Sequence, residues 1–216
     1  MGTISHLEPT RVFTYFEEIC QIPHGSGNVK QISDYLVKFA KENHLECVQD
    51  EAYNVVIKKP ASKGYENVPT VIIQGHMDMV AVKKPEATID MAKEGLKLVV
   101  EGDLISADGT SLGGDDGIAV AYALALLDSA ELKHPRLEVV ITVDEEVGMD
   151  GARAIDLSCL TGKQMLNLDS EEEGIFLTSC AGGARIYTYM PYTVAETKGI
   201  MYRISIEGLL GGHSGA

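Results

Sequence analysis

The chain reads as an α/β layer fold, and three observations predict it. Helical and strand patterns alternate through its middle: a helix over 117–131, a strand over Leu137–Val143, a glycine-rich turn, a short helix, and a strand over Met165–Leu168. The helix is apolar nearly all round, so it lies buried between layers, and at fifteen residues it is too short to span a membrane. Three apolar strands each release acids or a histidine at their carboxyl ends, the edge where open α/β sheets gather functional groups. Val71-Ile-Ile73 leads through Gly75, read as the strand breaker, to His76 and Asp78. Leu137–Val143 runs into Asp144-Glu145-Glu146, and Met165–Leu168 into Asp169. For any one strand, helix caps and solvated turns are the better explanation of the acids. Three together point to a metal site.

The remaining elements follow in order. Val12, Phe13, Phe16, Ile19 and Cys20 have the spacing of an amphipathic helix over residues 9–21, which Pro23-His24-Gly25 interrupts. A second helix is predicted to start near Ser26 or Asn28 and to bury Val29, Ile32, Leu36, Phe39 and Ala40. Tyr53–Lys58 reads as a strand, and Leu96–Val100 with Leu104-Ile105 as a hairpin around Glu101-Gly102-Asp103. From Ala181-Gly182-Gly183 onward the style changes: Tyr187, Tyr189 and Tyr192, then Met201–Ile206, alternate as antiparallel strands do. A domain boundary is placed near Gly183. The stretch beyond it is too short for a core of its own.

Composition excludes several function classes. At 216 residues the chain is long enough for one ample core, and 45% hydrophobic with 23% charged residues is ordinary for a globular protein. A net charge of −14 with no basic stripe argues against nucleic acid as a partner and suits a cation binder. Four scattered cysteines form no CxxC pair and read as small buried hydrophobes in a reducing compartment. Neither a signal peptide nor a membrane span is evident, so the expected location is cytoplasmic, with no membrane partner.

Directly before the buried helix stands Leu112-Gly113-Gly114-Asp115-Asp116-Gly117. Asp115 or Asp116 reads as an N-cap. The surrounding glycines allow a conformation that a simple cap does not require, and a carboxylate held there has two oxygens with which to bridge two cations.

His76-x-Asp78, Gly113-Gly-Asp115-Asp-Gly117, Asp144-Glu-Glu146 and Asp169-Ser-Glu-Glu-Glu-Gly174 stand in the order and spacing of the M20 family of di-zinc peptidases. Ile22-Pro-His24, Asn54–Pro60, Gly148–Ala152 and Cys180-Ala-Gly-Gly183 strengthen the resemblance toward its aminoacyl-histidine (Xaa-His) dipeptidase branch. The resemblance covers essentially the whole chain, but only the N-terminal half of the family's proteins. It implies a three-layer α/β/α catalytic domain with a mixed sheet over residues 1–183. Residues 184–216 would then begin an α+β lid or dimerisation domain.

The resemblance also implies roles. His76 and Asp169 would bind one zinc ion and Glu146 a second, with Asp115 bridging the two; cobalt or manganese also suits this donor set. Asp78 would accept a hydrogen bond from His76 and fix its tautomer. Glu145 would be the general base, taking a proton from a water held between the two ions. Adjacent residues leaving a strand point in different directions, so Glu145 and Glu146 can divide base and ligand duties. A cis peptide is implied between Asp115 and Asp116. His213 would hold the substrate carbonyl from the lid, acting across a homodimer in related enzymes. Glu171–Glu173 are read as solvated.

The expected activity is hydrolysis of dipeptides, Xaa-His and broader. The second ion's histidine ligand and the residues that bind the substrate carboxylate belong to the family's C-terminal segment, so the 216-residue chain alone is expected to be inactive. Alternatives are an M20 deacylase or aminotripeptidase and, from another class, a non-catalytic metal-binding or protein-interaction module.

Overall fold

The computed structural model describes residues 2–206 apart from Glu171, Ala181, Gly183, Arg185 and Thr197. Two helices open the chain, α1 (Thr10–Cys20) and α2 (Lys30–Glu42). The second begins later than its sequence pattern suggests, because residues 24–28 are engaged with the loop after His76. Strands β1 (Glu46–Gln49), β2 (Val55–Lys59) and β3 (Val71–His76) follow, then the hairpin of β4 (Leu98–Glu101) and β5 (Leu104–Ala107). Helix α3 spans Gly114–Asp128, β6 Leu137–Thr142, α4 Asp150–Ala154, and β7 Gln164–Asn167, with a 3-10 turn at Leu157–Cys159 between the last two.

Five strands make one mixed sheet in the order β1-β2-β6-β3-β7. β2 is antiparallel to β1 and β6, whereas β3 runs parallel to both β6 and β7. Alternation along the strands separates two faces. Val55, Ile57, Ile73, Leu137, Val139 and Ile141 join the main core with the apolar sides of α1, α2 and α3. Val56, Ile72 and Val140 face the other way, under Ile155, Cys159 and Leu160. The result is the three-layer α/β arrangement that the sequence predicts.

Two sequence expectations are corrected, and one strand is unanticipated. Gly75 does not break β3, which continues through His76. A glycine is needed there because a Cβ would lie 2.5 Å from the Asp116 carboxylate and 3.1 Å from Ala119. β1 carries no apolar alternation and is legible only from its pairing with β2. Of the cysteines, only Cys20 is buried.

The chain divides into two compact units, Met1–Glu173 and Gly174–Ala216. The second contains neither helix nor strand among its described residues, so the strands read at Tyr187–Tyr192 and Met201–Ile206 do not form. Tyr189 and Ile204 are 87% and 90% exposed, and isolated strands without a packed face are not stable. Gly183, the expected boundary, and His213 lie outside the described residues. No helix among the described residues is long and apolar enough to cross a membrane.

Candidate metal centre

Parallel pairing brings the functional ends of three strands to one edge. His76 is in register with Thr142, and Gln74 with Asn167, so Asp144-Glu145-Glu146 and Asp169 leave the sheet beside the histidine. The N-terminal end of α3 supplies Asp115 and Asp116 at the same edge. Asp115 has φ −83° and ψ 109°, so the chain turns before the helix proper, and the Asp115–Asp116 peptide is cis.

His76 is the hub. Its side chain is 1% exposed, and its Nε2 lies 3.1 Å from Asp115 Oδ1 and 3.8 Å from Asp169 Oδ2. On the other side Nδ1 is 2.9 Å from the Asp78 carbonyl and 3.4 Å from Asp78 Oδ1. Both neighbours of Nδ1 are acceptors, which keeps a proton on Nδ1, while Nε2 faces the carboxylates of the cluster. Asp78 does more than back the imidazole: Oδ1 accepts the Glu145 N–H at 3.1 Å and Oδ2 accepts the Ser26 hydroxyl at 2.8 Å.

Among the described residues, two groups have ligand atoms within 4.8 Å of one another: His76, Asp115 and Glu146, and Asp115, Asp116 and Asp169. Those spacings approach the span of two metal–ligand bonds of about 2.0–2.2 Å. Asp115 belongs to both groups. This grouping sets His76 with Glu146, whereas the resemblance pairs it with Asp169. It also adds Asp116, which receives no ligand role from the sequence alone.

The electrostatics describe a place that wants positive charge. Burial works to lower the His76 pKa, but the hydrogen bond to Asp78 and the carboxylates of Asp116, Asp78 and Asp169 outweigh it and raise it to about 10. Burial raises Asp116 to about 7, against the opposing pull of His76. Glu145 is raised by burial and then by Asp169 and Asp78, despite His76; Glu146 is raised by burial and then by Asp115. Asp78 goes down: burial alone would raise it, but hydrogen bonds from His76, Ser26 and the Glu145 amide prevail. Imidazole and carboxylate donors converging in an acid-rich cluster fit a divalent cation of the Zn, Co or Mn kind.

The cytosol non-specific dipeptidase of Escherichia coli is 37% identical over 217 residues, covering 100% of this chain but 45% of the relative. Among solved structures, the aminoacylhistidine dipeptidase of Vibrio alginolyticus is 41% identical with a TM-score of 0.77, over 79% of this chain and 35% of that one. Over its full length the chain is a homologue of the cytosol non-specific dipeptidase. It spans under half the length of that relative. A Staphylococcus aureus tripeptidase is 26% identical with a TM-score of 0.65, over 77% of this chain and 44% of that one. No protein-family model matches the chain.

Two contributors received no site role from the sequence. Asp116, 2% exposed, accepts the His76 backbone N–H on Oδ2 at 3.1 Å and so ties the helix start to β3. The only signal for it was its place beside Asp115. The strap His24–Gly27 was the other: Ser26 N–H bonds the Met79 carbonyl at 3.1 Å, and Gly27 N–H bonds Asp144 Oδ1 at 2.6 Å. Nothing in a Gly-Ser-Gly stretch announces which carboxylates it will hold.

Proposed function

We propose that the chain is the metal-binding part of a dipeptidase that hydrolyses the peptide bond of dipeptides, Xaa-His among them. The observation that supports this best is a buried histidine and four carboxylates at one sheet edge, with Asp115 common to both ligand groups. In this reading His76 and Asp169 hold one cation, Glu146 a second, and Asp115 both. Zinc is the cation proposed, with manganese or cobalt able to replace it. When bound, such ions lower the pKa of coordinated water toward neutrality and polarise the scissile carbonyl.

The chain's own residues supply the rest. Asp78 keeps the His76 proton on Nδ1 and holds the Glu145 backbone through its N–H. Glu145 takes the proton of the attacking water and delivers it to the leaving amine, and burial raises its pKa, the direction that favours a general base. Glu146 remains a ligand. In this reading residues 1–183 belong to the catalytic domain, and 184–216 open a lid or dimerisation domain that carries His213. The complete protein acts as a cytosolic homodimer on small peptides.

The test is an assay of the chain extended to the length of its relatives, loaded with Zn²⁺ or Mn²⁺. It would be offered dipeptides, a tripeptide and an N-acyl amino acid. Turnover of dipeptides, abolished by chelation, is expected. Preference for the tripeptide would favour the aminotripeptidase reading, and preference for the N-acyl substrate the deacylase reading. Metal uptake without turnover of any of them would favour a binding module.

A further inference from the structure

Asn54 stands at the start of β2, is 1% exposed, and belongs to neither ligand group. Its side-chain amide reaches the two ends of the loop that carries Glu145 and Glu146. Oδ1 accepts the Val143 N–H at 3.1 Å, and Nδ2 donates to the Gly151 carbonyl at 3.1 Å. Behind it, Asp50 fixes the amide by accepting from Asn54 Nδ2 at 2.7 Å and from the Asn54 backbone N–H at 2.8 Å. We propose that Asn54 is a positioning residue of the metal centre, clamping the Val143–Gly151 loop so that Glu145 and Glu146 stand where the site needs them.

Three features carry the inference. The loop closes on itself at the clamped residues, with Gly151 N–H on the Val143 carbonyl at 3.0 Å and Asp150 N–H on the Asp144 carbonyl at 3.2 Å. It contains two non-glycine residues at positive φ, Asp144 at 53° and Met149 at 61°, conformations that persist only where the surroundings impose them. Gly151 is built around the clamp: a Cβ there would lie 2.5 Å from Asn54 Oδ1 and 2.4 Å from the Val143 carbonyl. One planar group must accept at one loop end and donate at the other. Among side chains of this size only a primary amide does both, since a carboxylate lacks the donor and a serine lacks the reach.

The consequence for metal rests on the proposed function, so the experiment reads the loop and the cation separately. Asn54→Asp and Asn54→Ser would be made in this chain beside Glu138→Gln, a substitution at the opposite end of β6 that loosens the same domain. Amide hydrogen exchange across residues 143–151 is expected to speed up at least about 10-fold in the Asn54 variants and not in the Glu138 control. The Co²⁺ dissociation constant, read by the visible absorption of the bound ion, is expected to rise about 10- to 100-fold, the range for partners that orient metal ligands. In the control it should hold at the wild-type value despite a lowered unfolding midpoint. Unchanged loop exchange, or a Co²⁺ effect no larger than the control's, would overturn the proposal. If wild type takes up no Co²⁺, the metal reading fails and loop exchange alone decides whether Asn54 holds the loop. Should Asn54→Ser not fold, the near-isosteric Asn54→Asp carries the comparison.

Discussion

The Asp78 carboxylate accepts the Glu145 backbone N–H at 3.1 Å, so the residue behind His76 also anchors the strand end that presents Glu145 and Glu146. One carboxylate thereby sets the imidazole and the neighbouring acids against each other. Its second oxygen is occupied by Ser26 at 2.8 Å, which leaves the group little freedom.

Asp78→Asn tests that junction. The amide keeps the shape and can still accept from Glu145, but it loses the charge that opposes His76. Cation affinity is expected to fall about 10- to 100-fold, as for other partners that orient metal-bound histidine. Isothermal titration with Mn²⁺ measures it, and wild-type affinity would show that the charge is dispensable.

Gly75→Ala tests the close approach of β3 to the start of α3. The new Cβ meets Asp116 Oδ2 at 2.5 Å and Ala119 at 3.1 Å, so the helix start or the strand must shift. Urea unfolding should show a loss of about 1–3 kcal/mol, the usual cost of overpacking. A change below about 0.5 kcal/mol would mean that the helix start relaxes freely.

Glu138 gives a pH-dependent prediction remote from the metal centre. Its buried carboxylate accepts from Thr161 N–H and Gly162 N–H at 2.9 Å each, from the Thr161 hydroxyl at 2.7 Å, and from Arg136 at 3.2 Å. Burial alone would raise its pKa, but these donors, led by the Gly162 amide, hold it at about 2. The folded pKa is depressed, so the stabilisation is present above the unfolded value of about 4.3 and is lost as pH falls toward 2. Glu138→Gln should cost about 1–3 kcal/mol at pH 7 and roughly half as much at pH 3, where the folded-state carboxylate is still ionised and the unfolded one is not. Unfolding curves at the two pH values check it; an equal loss at both would contradict the assigned protonation.

Glu145→Gln separates base from ligand in the extended, metal-loaded protein. Dipeptide turnover is expected to fall about 10²- to 10⁴-fold while cation binding is retained. Loss of binding in parallel with turnover would make Glu145 a ligand instead.

Much of this was legible in the sequence because period-2 and 3.6-residue patterns and strand-end acids are local signals. α1, β3, α3 and β6 follow their apolar spacing, and His76, Asp115, Glu146 and Asp169 reach one edge because β3, β6 and β7 run parallel. The remainder depends on tertiary contacts that no spacing encodes. β1 exists through its pairing with β2 rather than through its own pattern. Asp116 turns toward the His76 backbone because of the backbone path before α3. Ser26 and Asn54 act on residues 52 and 89 positions away, through single hydrogen bonds to Asp78 and Val143.

The central claim is that His76, Asp115, Glu146 and Asp169 form a cation centre joined through Asp115. Anomalous diffraction at the zinc edge, from crystals of the extended protein grown with Zn²⁺, tests it most directly. The account predicts two peaks at this sheet edge, both within about 2.0–2.2 Å of an Asp115 oxygen. One should be ligated by His76 and Asp169, the other by Glu146. No peak at the edge, or a single ion that leaves Asp115 uncoordinated, would contradict it.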